Sequence, residues 1–105
     1  MARGVYVVRS RPVDPAREDE FNDWYDGVHV PELLSVPGFR SARRFRRVGS
    51  GDEGPEYLAV YEIEADDVAA PVAEWRRRSS AGETTRTDAL QVDPPPVVGL
   101  YEELP

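Results

Sequence analysis

The chain has 105 residues, of which 40% are hydrophobic and 31% are charged, and its formal net charge is −7 at pH 7. This length is typical of one domain, and we expect residues 1–105 to form a single domain. The acidic charge disfavours nucleic acid and membrane surfaces as partners. The N-terminal sequence resembles neither a signal peptide nor a membrane span, so we expect a cytoplasmic protein.

The residue types that are missing restrict the chemistry further. The chain has no cysteine, which excludes disulfides and thiolate nucleophiles, and all of its basic residues are arginine, which excludes a Schiff-base lysine. It has one histidine, His29, so a histidine-rich metal site within one subunit is also excluded. Since the chain lacks a glycine-rich phosphate loop as well, we expect no metal and no organic cofactor.

The first half of the chain predicts a strand followed by a helix. The strand is Gly4–Arg9, which is rich in β-branched and aromatic residues. Asp14-Pro15 then has the sequence of a helix N-cap followed by proline in the first turn. Large side chains recur every three or four positions after it, as on one face of an amphipathic helix. They are Phe21, Trp24, Tyr25, Val28 and His29. We expect Pro31 to kink or restart this helix and Pro37-Gly38 to end it.

The second half predicts two strands, a helix and a final strand. Phe39–Val48 and Glu56–Glu64 have strand composition and are joined by a predicted hairpin through Gly49–Pro55. Asp66-Asp67 should cap a helix, and Val97–Glu102 should form the last strand. The inner face of that helix is predicted to hold Val68, Val72 and Trp75. The order β-α-β-β-α-β predicts an α+β, ferredoxin-like fold with an antiparallel four-stranded sheet.

The predicted strands carry apolar side chains on both faces. In the first strand, Val5 and Val7 lie on one face and Tyr6 and Val8 on the other, and the third strand has the same pattern. An antiparallel sheet with one face in water should alternate apolar with polar residues. Two helices can cover only one face of a four-stranded sheet. We therefore expect a second copy of the chain to cover the other face, giving a homodimer.

The first predicted helix carries the most distinctive motif. Within Phe21–Glu32 the aromatic pair Trp24-Tyr25 precedes His29 by five and four residues, and Pro31 follows two residues later. This segment resembles the first-helix signature of the EthD-like branch of the dimeric α/β-barrel superfamily. Similar proteins include muconolactone isomerases, polyketide cyclases and anthrone-type monooxygenases. The resemblance implies ferredoxin-like subunits that pair into a dimeric α/β barrel, with a cavity for a small molecule.

His29 is the candidate general acid or base. An imidazole titrates near neutrality, and Asp26 and Glu32 lie three residues before and after it, where either could orient the ring. Tyr25 or Tyr61 is the candidate hydroxyl donor. The resemblance strengthens this interpretation, because a matching histidine often borders the barrel cavity. The alternative is a structural ring that is hydrogen-bonded to the backbone.

Two neighbouring arginines of the second strand are candidates for binding an anion. If the strand has no bulge, Phe39, Arg43 and Phe45 share one face and Arg44 lies on the other. Arg43 would then lie between two phenylalanines. Burying its charge there is costly unless it pairs with a carboxylate or an anionic ligand. The alternative is a solvated face paired with acidic neighbours.

Four aromatic residues are candidates for lining a substrate cavity. They are Tyr6, Trp24, Tyr57 and Tyr61. Their rings would form apolar walls, and the tyrosine hydroxyls would offer polar contacts. The alternative role is core packing, because large rings dominate small cores.

Two functional hypotheses follow. The first is a cofactor-independent enzyme of the cyclase, isomerase, dehydratase or oxygenase type, acting on an aromatic or polyketide-like substrate beside His29. The second is a non-catalytic dimeric module that binds a small ligand or serves as an accessory to another enzyme. A second acid or base pointing into the same cavity as His29 would favour the enzyme.

Overall fold

The computed structural model describes residues 1–49 and 54–105. In these ranges the strands are β1 (Ala2–Ser10), β2 (Phe39–Arg46), β3 (Tyr57–Ala65) and β4 (Val97–Glu102). They form an antiparallel sheet in the order β2-β3-β1-β4, which confirms the predicted ferredoxin-like arrangement. The predicted hairpin through Gly49–Pro55 includes positions 50–53, which lie outside the described residues.

Helical segments cover one face of this sheet. A 3₁₀ turn (Pro15–Arg17) leads into α1 (Glu18–Trp24), a π-helical turn (Tyr25–His29) and α2 (Val30–Leu34), and α3 (Ala69–Ser80) follows β3. The predicted caps are present. Asp14 accepts a hydrogen bond from the backbone N–H of Ala16 at 2.8 Å, and Asp67 accepts one from Ala69 at 3.0 Å. No helix among the residues described is long and apolar enough to cross a membrane.

The irregularity predicted at Pro31 lies one turn earlier. Pro31 sits in the first turn of α2, where its missing N–H is tolerated. The preceding residue, Val30, donates its N–H to the carbonyl of Tyr25, five residues back, instead of to the residue four back. The extra residue in this turn supplies a break in the α-helical pattern just before the proline, and the chain passes through Pro31 without ending its helix.

Strand β2 contains a bulge that the sequence does not reveal. The register with β3 shifts between Phe39 and Ser41, so Arg40 is the additional residue. Phe39 therefore faces the helices, whereas Arg43 and Phe45 lie on the opposite face. The expected grouping of Arg43 between two phenylalanines is wrong, because a single bulge reverses the side-chain alternation that follows it.

The core lies between the sheet and the helices. Its most deeply buried large side chains are Phe21, Tyr25, Leu33, Val36 and Tyr61. They come from α1, the π turn, α2, the turn after it and β3. Tyr25 of the π turn adjoins Tyr61 of β3 and Ser10 of β1, so the core packs the π turn against these two strands.

The other sheet face remains open and partly apolar. Phe45, Val97 and Tyr101 lie on it and expose 44%, 55% and 62% of their surface. Val5 and Val60, in the middle of the same face, are only half-buried. The two-faced apolar pattern expected from the sequence is therefore present in the structure.

Candidate functional site

A cavity of about 160 Å³ lies between the sheet and the helical segments. The side chains that determine its chemistry are Tyr6, Ser10, Trp24, Tyr25, His29 and Trp75. An engineered protein cavity of roughly 150 Å³ binds benzene, so this volume suits a molecule of about one six-membered ring. Apolar walls with a few converging polar groups are typical of small-molecule sites.

A larger cleft lies at one end of the sheet, but both of its arginines are already paired with one carboxylate. It has a volume of about 540 Å³ and includes Arg3, Arg40 and Glu64. Both arginines contact the Glu64 carboxylate, at 3.4 and 3.7 Å. The smaller cavity is the better candidate site because His29, which lines it, has no hydrogen-bond partner among the described residues.

His29 is enclosed by aromatic rings. Its ring stacks on Trp24 with centroids 4.5 Å apart, and it meets Tyr25 and Trp75 edge-on at 4.8 and 5.3 Å. Neither ring nitrogen has a hydrogen-bond partner within residues 1–49 and 54–105. The alternative of a ring tied to the backbone therefore does not describe this histidine.

Burial keeps the His29 imidazole neutral at physiological pH. Loss of solvent around the charged form lowers the pKa of His29 from 6.5 to about 4. The nearby Glu32 carboxylate acts in the opposite direction, and the Arg44 guanidinium adds slightly to the lowering. A neutral ring keeps one nitrogen lone pair free, so His29 can accept a proton or a hydrogen bond from a molecule in the cavity.

The π turn explains the position of the histidine beside Trp24. Successive residues of an α-helix are rotated by about 100°, so side chains five positions apart point in widely different directions. The wider π turn brings Trp24 and His29 onto the same side, where their rings stack. Single π turns of this kind occur frequently at functional sites.

Asp26 does not orient His29, contrary to the expectation from the sequence. Its carboxylate instead accepts a hydrogen bond from Arg44 at 2.7 Å, and among the described residues no bond joins it to the imidazole. The spacing of three residues assumed an α-helix, and the π turn changes that alignment. The other acidic neighbour, Glu32, accepts hydrogen bonds from the backbone N–H and hydroxyl of Thr85, at 3.0 and 2.8 Å.

The two candidate arginines lie on opposite sides of the sheet. Arg44 packs under the π turn, where its guanidinium carbon lies 4.2 Å from the centre of the Tyr25 ring and its Nη2 donates to Oδ1 of Asn22 at 2.8 Å. Arg43 lies on the open face, 5.7 Å from the ring of Phe45. Neither lines the cavity, so neither is placed to contact a ligand there directly.

Two buried tyrosine hydroxyls lie close together beside the cavity. Tyr25 and Tyr61 expose 2% and 0% of their surface, and neither hydroxyl completes a hydrogen bond with the described residues. The hydroxyls lie near each other and near Ser10, and burial raises the pKa of both. Both phenols are therefore neutral O–H donors at pH 7. Tyr25 is among the residues that line the cavity, and Tyr61 is not.

The remaining predicted aromatic residues divide between the cavity and its surroundings. Tyr6 and Trp24 line the cavity, and the Trp24 indole N–H donates to the carbonyl of Thr85 at 3.2 Å. Tyr57 lies outside it. The Tyr57 hydroxyl donates to the Glu18 carboxylate and accepts from Asn22 at 3.0 Å, which leaves it no free hydrogen for a ligand.

Sequence reasoning did not assign several residues of the cavity, among them Ser10 and Trp75. Ser10 is a buried polar residue at the end of β1, beyond the expected end of that strand at Arg9. Its alternation with Tyr6 and Val8 is the signal that places it on the helix-covered face. Trp75 was expected on the inner face of the second helix. Its contact with His29 joins two distant parts of the chain, so no local sequence pattern could predict it.

The described residues contain no group of three or more His, Cys, Asp or Glu side chains placed to hold a metal ion. Glu32 is the carboxylate that acts on the pKa of His29, and it accepts a hydrogen bond from the backbone N–H of Thr85. The expectation that the protein needs no metal or organic cofactor stays a prediction.

Comparisons with known proteins agree with this architecture. Residues 5–75 match the family model described as "Domain of unknown function (DUF4286)". Over 62 residues, 58% of this chain, the sequence is 32% identical to core atranone cluster (CAC) protein 1 of Stachybotrys chlorohalonatus (strain IBT 40285). The match covers 26% of that protein, so the chain spans about a quarter of its curated relative.

Two solved structures share the fold. An ethyl tert-butyl ether d (EthD) family protein from Bacillus halodurans C-125 has a TM-score of 0.62 and 18% identity, covering 99% of this chain and 100% of that one. A candidate monooxygenase from Shewanella loihica PV-4 has a TM-score of 0.57 and 17% identity, covering 100% and 98%. The resemblance to EthD-like proteins drawn from the sequence is confirmed at the level of the fold.

Proposed function

We propose that this chain, which belongs to the family described as a domain of unknown function (DUF4286), is a cofactor-independent enzyme that removes a proton from a small cyclic substrate. The observation that carries the proposal is His29, a neutral imidazole with no hydrogen-bond partner on either nitrogen in the described chain, which lines a cavity with aromatic walls. Proton removal is the step common to cyclases, isomerases, dehydratases and oxygenases that work through a substrate carbanion.

The low basicity of His29 restricts the substrate. With a pKa of about 4, the imidazole is available as a base at pH 7 but is a weak one. It suits a phenol proton, or a proton on a carbon next to a carbonyl group whose oxygen is stabilised as the enolate forms. Aromatic and polyketide-like molecules carry such protons in abundance. The cavity volume of about 160 Å³ suits a single ring, or the end of a longer molecule.

The match to a protein named for the core atranone cluster supports a natural-product setting for this substrate. Because the match covers only 26% of that protein, the activity of the whole relative does not transfer to this chain. The support concerns the class of molecule, and the chemical argument rests on the cavity.

Hydrogen–deuterium exchange tests the proposal directly. Acetophenone has one ring, a carbonyl group and acidic methyl hydrogens, and proton NMR in D₂O follows their loss. We expect the protein to speed this exchange over buffer by about 10²–10⁴-fold, the usual contribution of a positioned base. His29→Gln should remove the effect, and Tyr57→Phe, outside the cavity, should retain it. Equal exchange with wild-type protein and with His29→Gln would refute the role of His29.

A non-catalytic binding module is the second candidate. It is favoured by the engagement of Asp26 with Arg44, which leaves His29 without a carboxylate to orient its ring. Acetophenone would then bind without any exchange of its methyl hydrogens, and removal of His29 would alter affinity alone.

We also propose that the protein is a homodimer formed through the open face of the sheet. Phe45 and Tyr101 expose much of their surface on this face, and Val5 and Val60 are half-buried within it. If each subunit buried about 800 Å², roughly half of it apolar, then at ~25 cal/mol/Å² of apolar area the gross gain would be near 20 kcal/mol, above the roughly 4–15 kcal/mol that association costs.

A further inference from the structure

We infer that the cavity beside His29 continues into a groove between α3 and β4, and that Arg76 in this groove binds a carboxylate of the ligand. The inference rests on the proposed function only for the ring of the ligand. It deepens the substrate class to phenols and enolisable aryl ketones that carry an acidic side chain. The ring would lie beside His29, and the side chain would follow the groove to Arg76.

The groove exists because the helical segments do not fully cover β4. Val98 and Leu100 lie on the helix-covered side of the sheet, where Leu100 is paired with the buried Tyr6 of β1, yet they are 43% and 37% exposed. They form one wall of a groove of about 530 Å³. The opposite wall is one face of α3, whose residues recur every three or four positions. They are Ala69, Val72, Ala73 and Arg76.

The groove and the cavity have walls in common. Tyr6 and Val98 line both of them, and in α3 Trp75 lines the cavity while the next residue, Arg76, lines the groove. Small-molecule sites usually have volumes of about 300–1,000 Å³. The cavity, at about 160 Å³, is smaller than this, whereas the groove, at about 530 Å³, is within the range. Together they offer space for a ring and a side chain.

The charge of Arg76 indicates what the side chain should carry. Arg76 is the only charged residue among the described residues that line the groove, and its guanidinium lies close to the Tyr6 hydroxyl. The neighbouring Arg77 and Arg78 both pair with Glu74 at 2.7 Å, whereas no carboxylate in residues 1–49 and 54–105 pairs with Arg76. One guanidinium balances the single charge of a carboxylate and can donate two parallel hydrogen bonds to it. A carboxylate therefore fits this position better than a doubly charged phosphate.

Calorimetric titration with 5-phenylpentanoate tests this inference. The matched ligand is 5-phenylpentan-1-ol, which has the same ring and chain but no charge. We expect Arg76→Gln to weaken binding of the acid about tenfold, as for one lost hydrogen bond to a charged group, and to leave binding of the alcohol unchanged. Arg77→Gln is the control variant. It removes the same charge from the next position of α3, outside the groove, where the guanidinium is held by Glu74 and Glu83. It should leave the affinity for both ligands unchanged.

Acetophenone, which lacks the side chain, tests whether the cavity and the groove are one site. 5-Phenylpentanoate should displace it, because the two rings compete for the cavity. Simultaneous binding of both molecules would overturn the inference, as would equal losses of acid and alcohol affinity in Arg76→Gln, or equal losses of acid affinity in the two variants. Failure of the acid to bind would also refute it, and is the result expected if a second copy of the chain covers the groove.

The two proposals can fail separately. Titration needs no turnover, so binding of the acid that depends on Arg76 would stand even where the protein exchanges no hydrogen of acetophenone. Exchange that depends on His29 would likewise stand if Arg76 made no difference to the acid, because acetophenone carries no group for Arg76 to bind.

Discussion

The neutral state of His29 predicts that the protein loses stability in mild acid. In the unfolded chain an exposed histidine has a pKa near 6.5, whereas burial lowers the pKa of His29 in the folded protein to about 4. Between these two values the unfolded chain binds more protons than the folded one. The free energy of unfolding must therefore fall as the pH falls.

The structure sets the size of the effect. A pKa difference between 6.5 and about 4, at about 1.4 kcal/mol per pH unit, amounts to roughly 3 kcal/mol. The contribution is fully present above pH 6.5, declines below it, and is lost once the pH reaches about 4. A loss of this size is a large fraction of the stability of a small domain.

Urea denaturation of the wild type and of His29→Asn at several values between pH 7.5 and pH 4 measures this contribution. The carboxylates held by arginines, such as Glu20 and Glu74, also lose their pairing in acid, but they do so in both proteins. The difference between the two free energies of unfolding therefore isolates His29. We expect the wild type to lose about 3 kcal/mol more than the variant over this range. Parallel curves would show that the imidazole is not held in its neutral form, and the argument for a neutral base would fail.

Three further predictions concern assembly, packing and cofactors. Light scattering should give a molar mass of about twice the 11.8 kDa of one chain, and a wild-type monomer would refute the dimer. Phe45→Glu places a charge on the open face and should shift the protein towards the monomer. Leu33 is 1% exposed, so Leu33→Ala should lower the free energy of unfolding by about 2–5 kcal/mol in urea titrations. A loss below about 1 kcal/mol would contradict the place of Leu33 in the core. Metal analysis and a visible spectrum of the purified protein should reveal neither a stoichiometric metal nor a haem or flavin band, and finding one would refute the cofactor-free mechanism.

The fold was predictable because local signals and long-range packing agree. Asp14-Pro15 begins the helical region, and Gly38 follows its end with φ 106°, a conformation that favours glycine. The alternation within β1 and β3 correctly indicated a sheet with two apolar faces. Each of these features depends on the intrinsic preference of a few adjacent residues, which a sequence displays directly.

The site was only partly predictable because two one-residue irregularities determine it. The bulge at Arg40 decides which of Arg43 and Arg44 faces the helices. The π turn decides that His29 meets Trp24 and that Asp26 is free to bind Arg44. Both irregularities insert one residue into a regular pattern, and neither requires a distinctive residue type. Spacing rules that assume regular strands and helices therefore fail at these two points.

The location of the unsatisfied groups argues that the cavity is a site and not a packing defect. In the part of the chain that the structure describes, the buried side-chain atoms without a partner are the Tyr25 and Tyr61 hydroxyls and Nε of Arg44. All three belong to residues that adjoin one another, and His29, with its own unbonded nitrogens, contacts Tyr25. Each unsatisfied buried group costs about 1–3 kcal/mol, and phenylalanine at positions 25 and 61 would avoid two of these costs. A small domain gains nothing in stability by concentrating such costs beside one cavity, whereas a ligand bonded to His29, which lines the cavity, would offset the cost of its unbonded nitrogens.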